Sequence, residues 1–245
     1  MIRLLHPDAA RVEDTLRVEG RRFHYLTRVL RLREGDALEV FDGEGHARDA
    51  RVKQVDTEAG WAELAVEALR TLPLPPPITL LQGLPKGDKL EWVLQKSTEL
   101  GVSCVWPVAC QRSIVQLSGA RADKKVERWQ RIAEEAARQC ARADVPAVRG
   151  PVDVLAACRD LEPGTRLLIL DEEARAVRLG EALAEAPGDP LAILVGPEGG
   201  LSREEVEALV RLGGQPVTLG PRILRTETAG LAALAVVQHL RGELG

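Results

Sequence analysis

The sequence predicts an α/β protein in two parts, a small, mostly β domain over residues 1–72 and a larger domain over 73–245 built on a parallel sheet. Three observations carry this reading. Residues 70–78, RTLPLPPPI, hold four prolines, which favour a stiff, extended connection and are excluded from a central strand or a helix interior. Ahead of that stretch the chain shows short runs of alternating polarity. Behind it, apolar runs alternate with helical patterns, as in a parallel sheet covered on both faces.

In the first part, residues 37–41 (ALEVF) and 47–52 (ARDARV) flank Asp42-Gly43-Glu44-Gly45, which reads as two strands around a glycine-containing turn. In the second part, strands are expected at 78–84, 102–108, 166–170, 191–195 and 216–219. Helices are expected at about 88–100, 122–141, 203–212 and 227–240. Ligands of such sheets bind at the carboxyl ends of the strands. The glycine-bearing loops after residues 195 and 219 are therefore the places to look.

Composition narrows the function classes. No apolar run in the 245 residues approaches the roughly 20 needed to span a bilayer, and Met1-Ile2-Arg3 opens no signal-peptide pattern, so a soluble, cytoplasmic protein with no membrane partner is expected. Cys104, Cys110, Cys140 and Cys158 show no C-x-x-C pairing, and no histidine lies near them, which argues against a metal site or a disulfide framework. With a net charge of -4, any RNA contact must come from local patches.

The loop in LAILVGPEGGLSREE, residues 191–205, carries Gly196-Pro197-Glu198-Gly199-Gly200 between a strand and a helix. It matches neither nucleotide fingerprint, and Glu198 disfavours a phosphate, since repulsion at about 4 Å is on the order of 1 kcal/mol even when water screens it. Ser202 and Glu205 form a capping box, S-x-x-E, that accounts for the helix start without a ligand. Glu198 is left over; it suits a ligand that is neutral, rich in hydroxyls and amino groups, or cationic. The second loop, LGPRILRTETAG at 219–230, places Ile223 and Leu224 between two arginines. Either these aliphatics tuck into the core with Thr226 as helix N-cap, or they flank a flat ring such as adenine while backbone near Gly220 reads its edge.

VGPEGGLS and LGPRILRTETA, together with LPKGDKLEWVLQKSTELGV at 84–102, VLR at 29–31, GD at 35–36, FDG at 41–43 and RWQRIAEEAARQCAR at 128–142, closely resemble the RsmE family. These are bacterial 16S rRNA uridine N3-methyltransferases of the SPOUT superfamily. The resemblance covers nearly the whole chain. It implies a PUA-like β-barrel that grips RNA, followed by a SPOUT α/β domain whose last third forms a trefoil knot, a topology that periodicity does not reveal. It further implies a homodimer, S-adenosyl-L-methionine as methyl donor, and 16S rRNA within the 30S subunit as substrate. Carried over by position, the donor pocket comprises Gly196, Pro197, Glu198 and Gly199 with Leu219, Gly220, Ile223, Leu224, Arg225, Glu227 and Thr228. A sulfonium donor with an adenine and no phosphate agrees with the residue-level reading of both loops. Tyr25 and Ala141 depart from the family pattern, which usually has His and Gly there.

Residues 17–33 hold Arg17, Arg21, Arg22, Arg28, Arg31 and Arg33 against Glu19 in that run, the best phosphate-binding candidate in the first domain, with Arg22, Arg28 and Arg31 foremost. In the long helix, i,i+4 pairs Glu127–Arg131 and Glu134–Arg138 are expected to neutralise part of a basic stripe, leaving Arg142 the least compromised. Lys86 and Lys89 in one loop and Arg112 in the next are expected near the target uridine. Methylation at N3 needs the imide proton removed, or made acidic by cations at the flanking carbonyls. Glu227 is either that base or merely an acid at the positive end of its helix, with Arg225 or Arg112 to stabilise the charge. The sulfonium is already activated, so no metal is required.

Overall fold

The structure, a computed structural model, describes every residue except 116, 174–176, 185 and 187. Contacts divide the chain into two compact units, Met1–Leu74 with Ala137–Val145, and Pro75–Ala136 with Pro146–Gly245. The sequence reading breaks the chain only at the prolines. The assignment of Ala137–Val145 to the first unit has visible causes: Arg3 Nη1 donates to the carbonyl of Arg142 at 2.7 Å, and the Val145 amide donates to the Gly43 carbonyl at 2.8 Å. Ala143 is buried in one cluster with Phe41 and Ala47.

The first unit contains β1 (Arg3–Leu5), β2 (Thr15–Glu19), α1 (Gly20–His24), a π-helical turn (Tyr25–Val29), β3 (Ala37–Phe41), β4 (His46–Asp56), β5 (Trp61–Val66) and β6 (Arg70–Thr71). They form a six-stranded sheet in the order β1-β3-β4-β5-β2, with β6 against β4. All pairs are antiparallel except β1 with β3. The expected hairpin is present, with Phe41 opposite Ala47. Its turn is held by Asp42, whose carboxylate accepts from the amides of Glu44 at 2.7 Å and His46 at 3.0 Å. Strict alternation puts Leu16 and Val18 of β2 inside and their neighbours outside. They join Leu4, Leu38, Val40, Val52 and Leu64 in one core.

The second unit runs β7 (Ile78–Gly83), α2 (Lys89–Glu99), β8 (Cys104–Ala109), α3 (Gly119–Gln139), β9 (Ala147–Val148), β10 (Val152–Asp153), α4 (Val154–Arg159), β11 (Arg166–Leu170), α5 (Leu179–Ala184), β12 (Leu191–Val195), α6 (Arg203–Arg211), β13 (Gln215–Val217) and α7 (Thr226–Leu240). The last turn of α3 belongs by contacts to the first unit. The sheet order is β10-β8-β7-β12-β11-β13 with β9 against β8, and every pair is parallel. All five residues of β12 are buried, which is why its sequence shows no alternation. Two apolar clusters pack on the strands: one holds Leu80, Val105, Leu168 and Ile193, the other Leu81, Trp106, Ile169 and Leu194. Successive residues of each strand thus face opposite layers. Among the described residues, no helix is long and apolar enough to cross a membrane.

The basic stripe of α3 is organised differently from the expected i,i+4 ion pairs. Arg131 Nε donates to the backbone carbonyl of Glu127 at 3.1 Å, Arg128 bonds Glu91 of α2 at 2.7 Å, and the Arg138 guanidinium lies 4.5 Å over the ring of Tyr25. Arg142 is not the least compromised cation. It is a half-buried partner of Asp144, bonding that carboxylate through Nε at 3.1 Å and also through Nη2, because Asp144 lies two residues on and accepts in fork geometry.

Candidate active site

The site grows from three strand ends of the second unit. β12 runs into Gly196, where a side chain would collide with the loop's own return: a Cβ would lie 3.0 Å from the carbonyl carbon of Gly200. Gly200 closes the turn with φ +69°, its amide donating to the Pro197 carbonyl at 2.9 Å. Gly83, at the end of β7, lies against the same loop; a Cβ there would stand 2.5 Å from Pro197 N. Glycine is needed at Gly83 for the close approach of two backbones.

The predicted capping box is present: Ser202 Oγ accepts from the Glu205 amide at 3.1 Å and Glu205 Oε2 from the Ser202 amide at 2.8 Å. Glu205 also accepts the Gln111 amide at 2.6 Å through its other oxygen, so the cap ties the loop after β8 to the glycine loop. A second tie runs from Arg112 Nη1 to the Gly199 carbonyl at 3.0 Å.

Thr226 is not the N-cap. Arg225 holds that place without a side-chain cap bond, and the Thr226 hydroxyl donates to the Gly196 carbonyl at 2.6 Å. Nor do both aliphatics of the second loop tuck away. Ile223 is 78% exposed, while Leu224 is partly covered.

These loops enclose a cavity of about 430 Å³. Its wall includes Gly196, Pro197, Glu198, Leu219, Gly220, Ile223, Leu224, Arg225 and Glu227 of the expected donor set, together with Lys89 and Arg112. Gly199 and Thr228 are not on it: Gly199 packs on Arg112, and Thr228 is exposed on the first turn of α7. Lys86 presents its amide, not its ammonium, to Glu198 Oε1 at 3.0 Å. Arg22, Arg28 and Arg31 are exposed in the first unit, where Arg22 Nε donates to the Leu5 carbonyl at 3.0 Å.

At the cavity wall Lys89 Nζ bridges two carboxylates, Glu198 at 3.1 Å and Glu227 at 3.2 Å. Hydrogen bonds to Glu198 and then Glu227 raise the Lys89 ammonium above its ordinary value. Burial pushes the Glu198 carboxyl up, but the Lys86 amide and Lys89 outweigh it and hold the group below the usual carboxylate range. The residue that the sequence left unexplained is thus a clamp for the start of α2.

A third segment of the wall was not anticipated. Asp171, the first residue after β11, takes Arg203 in a two-pronged pair at 2.8 and 3.0 Å. Burial alone raises its carboxyl; Arg203 and the Glu173 amide reverse that and lower it. Its position at the carboxyl end of a buried strand was the available signal.

Known proteins match both parts of the chain. A family model described as RNA methyltransferase domain matches residues 72–238, and one described as RNA methyltransferase PUA domain matches residues 18–64; the class is that of the RNA methyltransferases. Ribosomal RNA small subunit methyltransferase E of Bacillus subtilis (strain 168) is 35% identical over 240 residues, covering 94% of this chain and 93% of that protein. The protein of that name from Mycobacterium bovis is 36% identical over 238 residues, covering 94% and 87%. The crystal structure of ribosomal RNA small subunit methyltransferase E from Neisseria gonorrhoeae bound to S-adenosyl methionine superposes with a TM-score of 0.86 at 36% identity, over 98% of each chain. The chain belongs to the ribosomal RNA small subunit methyltransferase E family.

Proposed function

We propose that the protein transfers a methyl group from S-adenosyl-L-methionine to N3 of a specific uridine of 16S rRNA in the 30S subunit, in the cytoplasm. The observation that carries this reading is the cavity of about 430 Å³, set at the carboxyl ends of parallel strands and walled by Glu198, Glu227, Gly220 and the exposed Ile223. Its size is in the range of small-molecule sites. The donor brings an adenine for aliphatic contact, ribose hydroxyls and a cationic sulfonium, and no phosphate to be repelled by the two carboxylates.

S-adenosyl-L-methionine supplies the activated methyl. This chain's residues bind and orient it, hold the uridine and take up the N3 proton. Glu227 accepts that proton, with Lys89 holding it in place. Arg112 and Arg225, both on the cavity wall, face the charge that develops on the uracil carbonyls. Arg22, Arg28 and Arg31 of the first unit, which acts as the PUA-like barrel, contact phosphates, joined by Lys86. The part from β11 to α7 threads as a trefoil knot, a reading supported by β12 lying between β7 and β11 while β13 lies outside them. The working form is a homodimer, for which the exposed Trp92 on α2 and Val236 and Leu240 on α7 offer apolar surface.

The test is methyl transfer from labelled donor to 30S particles lacking the modification, with the nucleotide mapped by a reverse-transcription stop. Labelling at one uridine, lost in the Glu227→Gln protein, is expected. Failure to label any form of rRNA overturns the reading, and labelling at another nucleotide overturns the substrate.

A further inference from the structure

Thr226 uses its hydroxyl across the cavity floor instead of capping its own helix. A hydroxyl has one hydrogen, and Thr226 Oγ1 spends it on the Gly196 carbonyl at 2.6 Å. Its remaining capacity is as acceptor, and Gln82 Nε2 fills it at 2.8 Å. Gln82 Nε2 donates its other hydrogen to the Gly83 carbonyl at 3.2 Å. Turning the amide over would set Oε1 against two acceptors, so the network itself fixes the orientation. The cost shows on the other side of the amide. Gln82 is fully buried and its Oε1 has no hydrogen-bond partner.

A leucine or methionine would fill this position without an orphaned acceptor. A buried polar residue kept against that local cost points to what its N–H groups hold. They hold two loops in register. Gly196 lies on the cavity wall, and so does Thr226, between Arg225 and Glu227. One turn further along α7, a Cβ at Gly230 would meet Leu80 at 3.2 Å and Val195 at 3.3 Å. The start of α7 is therefore seated on β7 and β12 at Gly230 and pinned by a directional bond at Thr226.

We propose that Gln82 and Thr226 are positioning residues for the methyl donor: the relay from Gln82 through Thr226 to Gly196 sets the spacing between the glycine loop and the Arg225–Glu227 loop, although Gln82 does not reach the cavity. This rests on the donor reading above. The test uses the full-length protein and the variants Thr226→Val, Thr226→Ser and Gln82→Met. Calorimetric titration with S-adenosylmethionine is read beside amide exchange of residues 196–200 and 225–230 in the ligand-free protein.

Thr226→Val and Gln82→Met are expected to weaken donor binding at least tenfold and to speed exchange in both segments, while Thr226→Ser stays within about twofold of wild type. Donor affinity within threefold of wild type in the Val and Met variants, whatever happens to their melting temperature, overturns the proposal. So does a Ser variant as weak as the Val variant. If wild type itself fails to bind S-adenosylmethionine, the donor reading falls, and the exchange comparison decides the relay by itself: unchanged exchange in both segments overturns it. Should Thr226→Val not fold, Gln82→Met with Thr226→Ser gives the same decision.

Discussion

Replacing Glu205 by alanine is expected to destabilise the second unit by more than a helix cap explains. Glu205 is 3% exposed, and its two oxygens accept the Gln111 amide at 2.6 Å and the Ser202 amide at 2.8 Å. The truncation removes two bonds to a charged acceptor, each worth about 1.5–3 kcal/mol, and strands the buried Ser202 amide together with the part-buried Gln111 amide. Relief of the carboxylate's own burial offsets part of this, leaving a loss of about 3 kcal/mol. At roughly 2–4 °C per kcal/mol for a chain of this size, the melting temperature should fall by about 6–12 °C. Ser202→Ala is the internal control: it removes the single bond from the Glu205 amide and should cost about 1 kcal/mol. Differential scanning calorimetry of the three proteins decides the matter. Equal shifts for the two variants would refute the reasoning, because the tie to Gln111 would then contribute nothing.

Two further outcomes follow from the charges. Glu198 has its folded value lowered from 4.5, so its contribution is present above that value and fades as pH falls through the lowered one. Lys89 is raised above 10.5, so its contribution is present below that value and fades as pH rises through the raised one. The melting-temperature gap between wild type and Glu198→Gln should hence be level between the ordinary values of 4.5 and 10.5 and narrow as pH falls below 4.5; a gap that widens toward acid contradicts the bridge. Burial, with nearby negative charge adding to it, pushes the thiols of Cys110 and Cys158 up to about 12. At pH 8 about one in ten thousand of each is thiolate, and native protein should resist alkylation at both positions by mass spectrometry while unfolded protein reacts.

What the sequence disclosed was local. The runs at 191–195 and 166–170 announced buried strands because parallel strands covered on both faces need apolar side chains throughout, and both occur at those residues. The capping box was legible because its partners are three residues apart. The helices Val154–Arg159 and Leu179–Ala184 went unseen, since six residues do not complete two turns of an apolar period. Thr226 reads as a cap by type and spacing; its true partner, Gly196, is 30 residues away and becomes a neighbour only when β12 and α7 meet. The same holds for Glu205 with Gln111, and for Asp171 with Arg203 across 32 residues. The site's residue types were readable, and the ties that set their spacing were long-range.

Gly83 leaves a distinctive mark on how the chain tolerates change. Its α-carbon faces the backbone of Gly196 and Pro197 with no room for one methyl group, although Gly83 is not part of the cavity wall. Any replacement must push the glycine loop off the end of β7, and alanine is the mildest that can be tried. In a scan of all single substitutions scored for activity, position 83 should therefore appear as intolerant as Glu227. Only a structural view separates the two, one silent because it would handle a proton, the other because two stretches of main chain share a space that admits hydrogen alone.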